Sequence, residues 1–317
     1  MLAGVFESTF PRIKVQYLAM PNVQLIARMA AERSAGRYIP DVMVGPGSTA
    51  IPAFKPDGGL APIKPSFVLP EVLDESLWLN GRHWWMDAAP PYVAMGFVGQ
   101  LQPVLSYNTQ LVDPKEITSY WDLLNPKWKG KVVARDVRQA GPGGPQVLYQ
   151  YRHPDLGFAF VERFWTEMEP QISVDARQMI DWLAQGQYVI GFAVNSRELR
   201  EAGLLGLPVA LIPVSQLKEG SDLSHAGGSL NLSAQAPHPN AAKLYVNWLL
   251  SREGQIAWQK HTLSPSLRQD IPKDGLDPSV LPTSGVQYIS SSSEDYGRLE
   301  DTPIEEIITR AVARNQR

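Results

Sequence analysis

The run Arg135-Asp136-Val137-Arg138-Gln139-Ala140-Gly141-Pro142-Gly143-Gly144-Pro145 sets two guanidinium groups, an amide and three glycines ahead of a helical pattern. Glycine lets the backbone come close to a ligand, and the free N–H groups at a helix start carry partial positive charge. This is chemistry for holding a phosphate or a carboxylate. Arg138 adds a fork of donors that matches such an anion, and Gln139, Gly141 and Gly143 complete the candidate loop. No Gly-Lys-Ser/Thr follows, so the run is not a P-loop. Arg135 beside Asp136 reads as a surface ion pair rather than a ligand contact.

Two further loops carry polar groups at positions where α/β sheets bind ligands. Gly45-Pro46-Gly47-Ser48-Thr49 follows the apolar run Asp41-Val42-Met43-Val44 and offers the bare backbone of Gly47 with the hydroxyls of Ser48 and Thr49. On residue types alone it is a plain turn; its place after a strand, together with the family resemblance given below, makes it a contact loop. Asn195-Ser196-Arg197 follows Tyr188-Val189-Ile190-Gly191-Phe192-Ala193-Val194 in the same way. Arg197 stands four residues before Glu201, so a helical ion pair and a ligand contact are both open for it.

Other chemistries lack their residues. Cysteine is absent, which removes disulfides, thiol nucleophiles and Cys-ligated metals. The histidines, His83, His153, His225, His238 and His261, are dispersed and none belongs to a metal-binding helix pattern. No Gly-x-Ser-x-Gly elbow or dinucleotide fingerprint occurs. These patterns supply no catalytic residue, metal site or cofactor. Trp84, Trp85 and Tyr92 read as packing before they read as a wall for a ligand, and Tyr107 and Asn108 are lesser candidates.

The elements that position these loops alternate. Leu2 to Phe10 has helical spacing, Ile13 to Met20 reads as a strand, and Asn22 caps a helix through Ala35 with Val23, Ile26, Ala27 and Ala30 on one face. Asp41 to Gly45 is the next strand. Residues 51 to 91, rich in Pro and Gly, read as irregular connections. Strands are expected in Tyr92 to Thr109, Lys131 to Arg135, Tyr188 to Val194, Pro208 to Val214 and Gly228 to Ala234. Helices are expected at Gln146 to Arg152, Gly157 to Met168, Arg177 to Gln187, Asn240 to Ser251 and Glu253 to His261, with Ser119, Asn240 and Ser251 as caps. The order implies an α/β protein with largely parallel sheets.

At 317 residues, 44% hydrophobic and 19% charged, the chain has ordinary globular composition and room for two domains. Its net charge of −3, with Lys and Arg scattered, argues against a nucleic-acid partner. No window approaches a spanning helix, and Met1 to Val15 lacks the layout of a signal peptide.

The stretch SYWDLLNPKWKGKVV resembles a signature of the family 1 bacterial extracellular solute-binding proteins, in the branch with ferric-iron and phosphonate binders. FESTFPRIKVQY, SYNT, APHPNAAKLYVNWLLSREGQ and SPSLRQDI fall in the family's order around it, so the resemblance spans most of the chain. It implies a two-lobed type II periplasmic-binding fold, each lobe a mostly parallel sheet flanked by helices, joined by hinge strands with the ligand between. Lobe one would combine residues 1–103 and 213–317, and lobe two would be 104–212. The function implied is that of the substrate-binding component of an ABC transporter: a periplasmic monomer, not an enzyme, delivering a small-molecule ligand to a membrane permease. An enzyme, or a ligand-sensing regulatory domain, is the alternative on the same fold.

Two departures follow from the resemblance. Ferric-binding relatives carry adjacent tyrosines whose phenolates hold the metal where this chain has Asn195 and Ser196. An amide and a hydroxyl suit a phosphonate, a phosphate ester or a carboxylate better than bare ferric ion. Relatives also begin with a strand before the helix that starts here at Leu2, which implies a natural start upstream with that strand and an export signal.

Overall fold

The computed structural model describes residues 2–45, 47–139, 143–225 and 227–315. In chain order the elements begin with α1 (Leu2–Thr9), α2 (Asn22–Ser34), β1 (Val42–Gly45), α3 (Gly47–Phe54), β2 (Leu60–Ala61), α4 (Pro70–Leu73), β3 (Trp84–Trp85), β4 (Ala94–Gly96), β5 (Gln100–Leu101) and β6 (Leu105–Asn108). There follow β7 (Val132–Arg135), α5 (Gly143–Arg152), α6 (Gly157–Glu167), β8 (Gln171–Ser173), α7 (Ala176–Ala184), β9 (Ile190–Phe192), α8 (Ser196–Leu204) and β10 (Val209–Leu211). The last are β11 (Leu223–Ser224), β12 (Ser229–Ser233), α9 (Pro239–Leu250), α10 (Arg252–Thr262) and α11 (Ile304–Asn315). The chain divides into two compact units, Met1–Gln100 with Leu223–Asp295, and Leu101–Asp222 with Tyr296–Arg317.

In the first unit the sheet order is β1-β12-β4-β3, with β2 also on β12. Every one of these pairs is antiparallel. The expectation of a mostly parallel sheet fails here because β12, drawn from late in the chain, inserts between β1 and β4 and runs against both. Those two strands therefore point the same way without touching. Aromatic burial ties α1 to α9: Phe6, fully buried, lies 5.0 Å from the Tyr245 ring and 5.2 Å from the Trp248 ring. The segment after α10 is structural too. Arg268 is buried and answers two carboxylates, Glu71 at 3.1 Å and Asp270 at 2.8 Å, while its Nη1 donates to the Leu250 carbonyl. A buried guanidinium tolerates its desolvation only with such partners.

Further expectations for the first unit are corrected. Helix α2 starts at Asn22 behind Pro21, so Asn22 is its first residue and not its cap. Residues 13–20 form no strand. Apolar alternation gives a face but not the ladder partner a strand needs, and Tyr17 stands 78% exposed. The cap expected at Asn240 is also displaced: α9 starts at Pro239 behind His238, so Asn240 lies inside the helix. Ser251 does cap α10, accepting from the Gly254 amide.

The second unit has the order β10-β6-β9-β7-β8. Here β7 is parallel to both β8 and β9, while β6 runs against β9 and β10 against β6. Helices α7 and α8 bury Met179, Ile180, Leu183, Leu199 and Ala202 with Val133 and Val209 of the sheet. Phe164 and Trp165 of α6 pack on Phe192 of β9. Ser119 starts a short helical turn through a capping box with Asp122, as expected. Residues 296–317, expected in the first lobe, belong to this unit: α11 packs on α6, and Arg314 donates to the Trp165 carbonyl. Amphipathic spacing marks that a helix has a buried face without saying which core receives it.

Candidate functional site

The parallel trio β7, β8 and β9 fixes a common edge in the second unit. Register pairs Arg135 with Ser173 and Ala134 with Phe192, so the carboxyl ends of all three strands lie side by side. Each strand leads into a helix, α5, α7 or α8. Three helix starts thus gather at one edge, where first-turn amides left without a cap carry partial positive charge.

The loop after β7 is built around a carboxylate. Asp136 accepts from the Arg138 amide at 3.1 Å, from Nε at 3.0 Å and from Nη2 at 2.8 Å. Its own amide donates to the Ser173 carbonyl, extending the β7–β8 ladder by one residue. The Arg138 fork holds the Asp136 carboxyl below the usual carboxylate range against the opposing effect of burial. Asp136 is thus clamped by Arg138, two residues on, where adjacency in sequence pointed to Arg135. Arg138 keeps 34% of its side chain exposed while Asp136 keeps 6%. Val137 packs under the helix start, where a Cβ on Gly143 would come within 2.9 Å of its Cγ1 and one on Gly144 within 3.0 Å of its carbonyl oxygen. Those glycines are needed for that approach. Gln139 is exposed, with its amide on the Asp136 carbonyl. Gly141 lies outside the described residues.

At the other two helix starts, caps take the first amides. Asn195 caps α8, its Oδ1 accepting from the amides of Arg197 at 3.1 Å and Glu198 at 3.2 Å, while its Nδ2 donates to the Glu198 carboxylate. Ser196 is half-buried in the first turn. Arg197 pairs with Glu201 at 3.0 Å and is 87% exposed. Ala193, just before the cap, has φ of +56° and is buried, an uncommon conformation for a residue with a Cβ. At α7, Asp175 accepts from the Gln178 amide and Ser173 donates to the Gln178 side chain. These last two residues were missed in the sequence, although Asp175 followed three places later by Gln178 is a readable capping pattern.

In the first unit, Gly47, Ser48 and Thr49 open α3 directly after β1. Gly47 is buried, and a Cβ there would meet Met86 Cγ at 2.8 Å and Ser229 Oγ at 3.2 Å. Close packing, rather than a free backbone, is what this glycine provides. Ser48 is exposed and Thr49 half-buried at the helix start. Across the sheet Ser229 pairs with both Gly45 and Gly96. Behind them His225 is fully buried, with Nδ1 3.1 Å from Ser290 Oγ, and burial pushes its pKa down to about 3. It is a neutral core group.

Among the lesser candidates, Trp84, Trp85, Tyr92 and Asn108 have packing or hydrogen-bonding roles. Trp84 is buried with its indole N–H on the Leu79 carbonyl, and Trp85 stacks on Tyr92 at 4.8 Å. Asn108 is buried at the opposite end of the sheet, donating to the Leu183 carbonyl. Among the described residues no group of three or more His, Cys, Asp or Glu side chains is arranged to hold a metal ion, and no helix is long and apolar enough to cross a membrane.

The profile of the bacterial extracellular solute-binding proteins matches residues 1–256. The chain belongs to that family. Its fold is the one shared by two-lobed periplasmic binding proteins. Iron-bound HitA from Pseudomonas aeruginosa superposes with a TM-score of 0.62 at 18% identity over 98% of this chain and 94% of that one. IdiA (FutA) from Trichodesmium, in complex with iron and citrate ligands, gives 0.65 at 18% over 99% and 94%. AfuA from Actinobacillus pleuropneumoniae, with fructose-6-phosphate bound, gives 0.55 at 18% over 98% and 93%. No curated protein sequence matches. Family and fold are those of substrate-binding proteins, and the family is an extracellular one.

Proposed function

We propose that this solute-binding protein is the periplasmic receptor of an ABC importer and that its cargo is a small polar or anionic organic solute, recognised in part by the carboxyl edge of β7, β8 and β9. The observation that carries this reading is the convergence of three helix starts at that edge, with the Arg138 guanidinium beside them. A helix start and a guanidinium favour a phosphonate, a phosphate ester or a carboxylate. Asn195 and Ser196 bring an amide and a hydroxyl where the resemblance expects phenolates in ferric binders, and hard ferric ion prefers anionic oxygen. Gln139, Gly143, Ser196 and Arg197 join them as contact candidates at that edge. The fold neighbours include proteins with iron and with a sugar phosphate, so fold alone leaves the cargo class open and the reading rests on these side chains.

A thermal-shift series over phosphonates, phosphate esters, carboxylates and ferric citrate tests the reading, because a ligand that binds only the folded state raises its melting temperature by mass action. An organic anion that shifts the midpoint supports it. A shift with ferric ion alone and none with organic anions overturns the cargo class.

A further inference from the structure

The chain passes between its two units three times, after Gln100, after Asp222 and after Asp295. Within the second unit, the segments flanking all three passages are tied to one helix. Ser221 Oγ donates to the Gln102 carbonyl at 2.8 Å and accepts from the Gln102 amide at 3.3 Å, joining the first passage to the second. The same hydroxyl lies 3.4 Å from Oε1 of Gln146 on α5, whose Nε2 donates to Tyr120 Oη at 2.8 Å. Tyr120 in turn donates to the Gly220 carbonyl. One turn on, Tyr149 donates to the Glu219 carbonyl. The third passage is held at both ends of the helix: Tyr296 donates to the Pro145 carbonyl, and the Arg152 guanidinium lies 5.6 Å from the Tyr296 ring.

The start of α5 rests on the candidate anion loop. Val137, set between the paired Asp136 and Arg138, bears directly on Gly143 and Gly144. A short helix moves as a rigid piece, so a shift of the loop displaces Pro145, Gln146, Tyr149 and Arg152 together. We infer that α5 is a transmission element that makes the state of loop 136–139 felt at all three passages, with Gln146 and Ser221 as its positioning residues. This rests on the reading of that loop as a solute-binding end. It goes beyond that reading by assigning a conformational role to buried side chains that touch no solute.

The test needs no ligand, so failure of the solute reading would appear in the titrations and not here. Amide hydrogen exchange is measured on the full chain for wild type, Asp136→Asn, Ser221→Ala and the double variant. Asp136→Asn loosens the Arg138 clamp at the loop; Ser221→Ala cuts the joint between the passages. The expected result is that Asp136→Asn alone speeds exchange at Gln102, Glu219 to Asp222 and Gly297 by about threefold or more, and that the two substitutions depart from multiplicativity by a similar factor, as contacting networks do. Amides of β10, which pairs with β6, serve as reference. Gln146→Glu, which keeps size and one acceptor, is the second variant should Ser221→Ala unfold, with the same coupling expected. Acceleration confined to 136–144, equal acceleration at β10, or strict multiplicativity overturns the inference.

Discussion

Replacing Arg138 by alanine separates the two tasks assigned to that side chain. In the structure its Nε and Nη2 hold an Asp136 carboxylate that is almost entirely buried. Breaking a fully buried pair by removing one partner costs about 3–5 kcal/mol, but the exposed third of Arg138 screens this one, and the Arg138 amide still donates to Asp136. The expected loss is about 1–2 kcal/mol at pH 7, a fall in Tm of roughly 2–8 °C. The sign with pH is fixed. Arg138 depresses the folded-state pKa of Asp136, so its contribution is present above the unfolded value of about 3.9 and is lost as pH falls through the folded value. The gap between wild type and variant, measured by urea denaturation, should therefore close below about pH 4. For an organic anion found by the screen, calorimetry should show at least about tenfold weaker binding, since a charge-assisted hydrogen bond contributes about 1.5–3 kcal/mol. Lower stability with unchanged affinity would refute the anion-site reasoning and leave Arg138 as a clamp for Asp136 alone.

Asn195→Ala removes the cap of α8 and should lower stability by about 1 kcal/mol in denaturant titrations, with Asn195→Asp retaining most of it; no change would contradict the capping role. Because burial depresses the His225 pKa to about 3, the unfolded chain takes up this proton first on acidification. Stability should fall as pH drops below about 6.5, by up to about 1.4 kcal/mol per unit, and His225→Asn should flatten that slope relative to wild type. Gly96→Ala brings a methyl within 2.4 Å of His225 Cδ2 and should cost about 1–3 kcal/mol by overpacking, measured as a lower urea midpoint at constant m-value.

Local features were readable from the sequence and long-range ones were not. Lys131 to Arg135 and Tyr188 to Val194 announce β7 and β9, and the position of their loops identifies the edge where the candidate residues gather. Side-chain partners at that edge were not legible: in sequence Asn195 reads as a ligand contact and Asp136 as the partner of Arg135, yet one caps a helix and the other receives Arg138. The insertion of β12 between β1 and β4 pairs Ser229 with Gly45 and Gly96, far apart along the chain, which no local period encodes. Ile13 to Met20 shows the same limit from the other side, since its alternation describes a strand and only a partner can make one. The apolar stripe of α11 likewise requires a core without naming the one it joins.

Native mass spectrometry of the purified full chain, incubated with an equimolar mixture of phosphonates, phosphate esters, carboxylates and ferric citrate, tests the central claim most directly. The account predicts one organic anion per chain, released with its mass unchanged. An adduct of iron without an organic anion, or a ligand released as a product of altered mass, would contradict it.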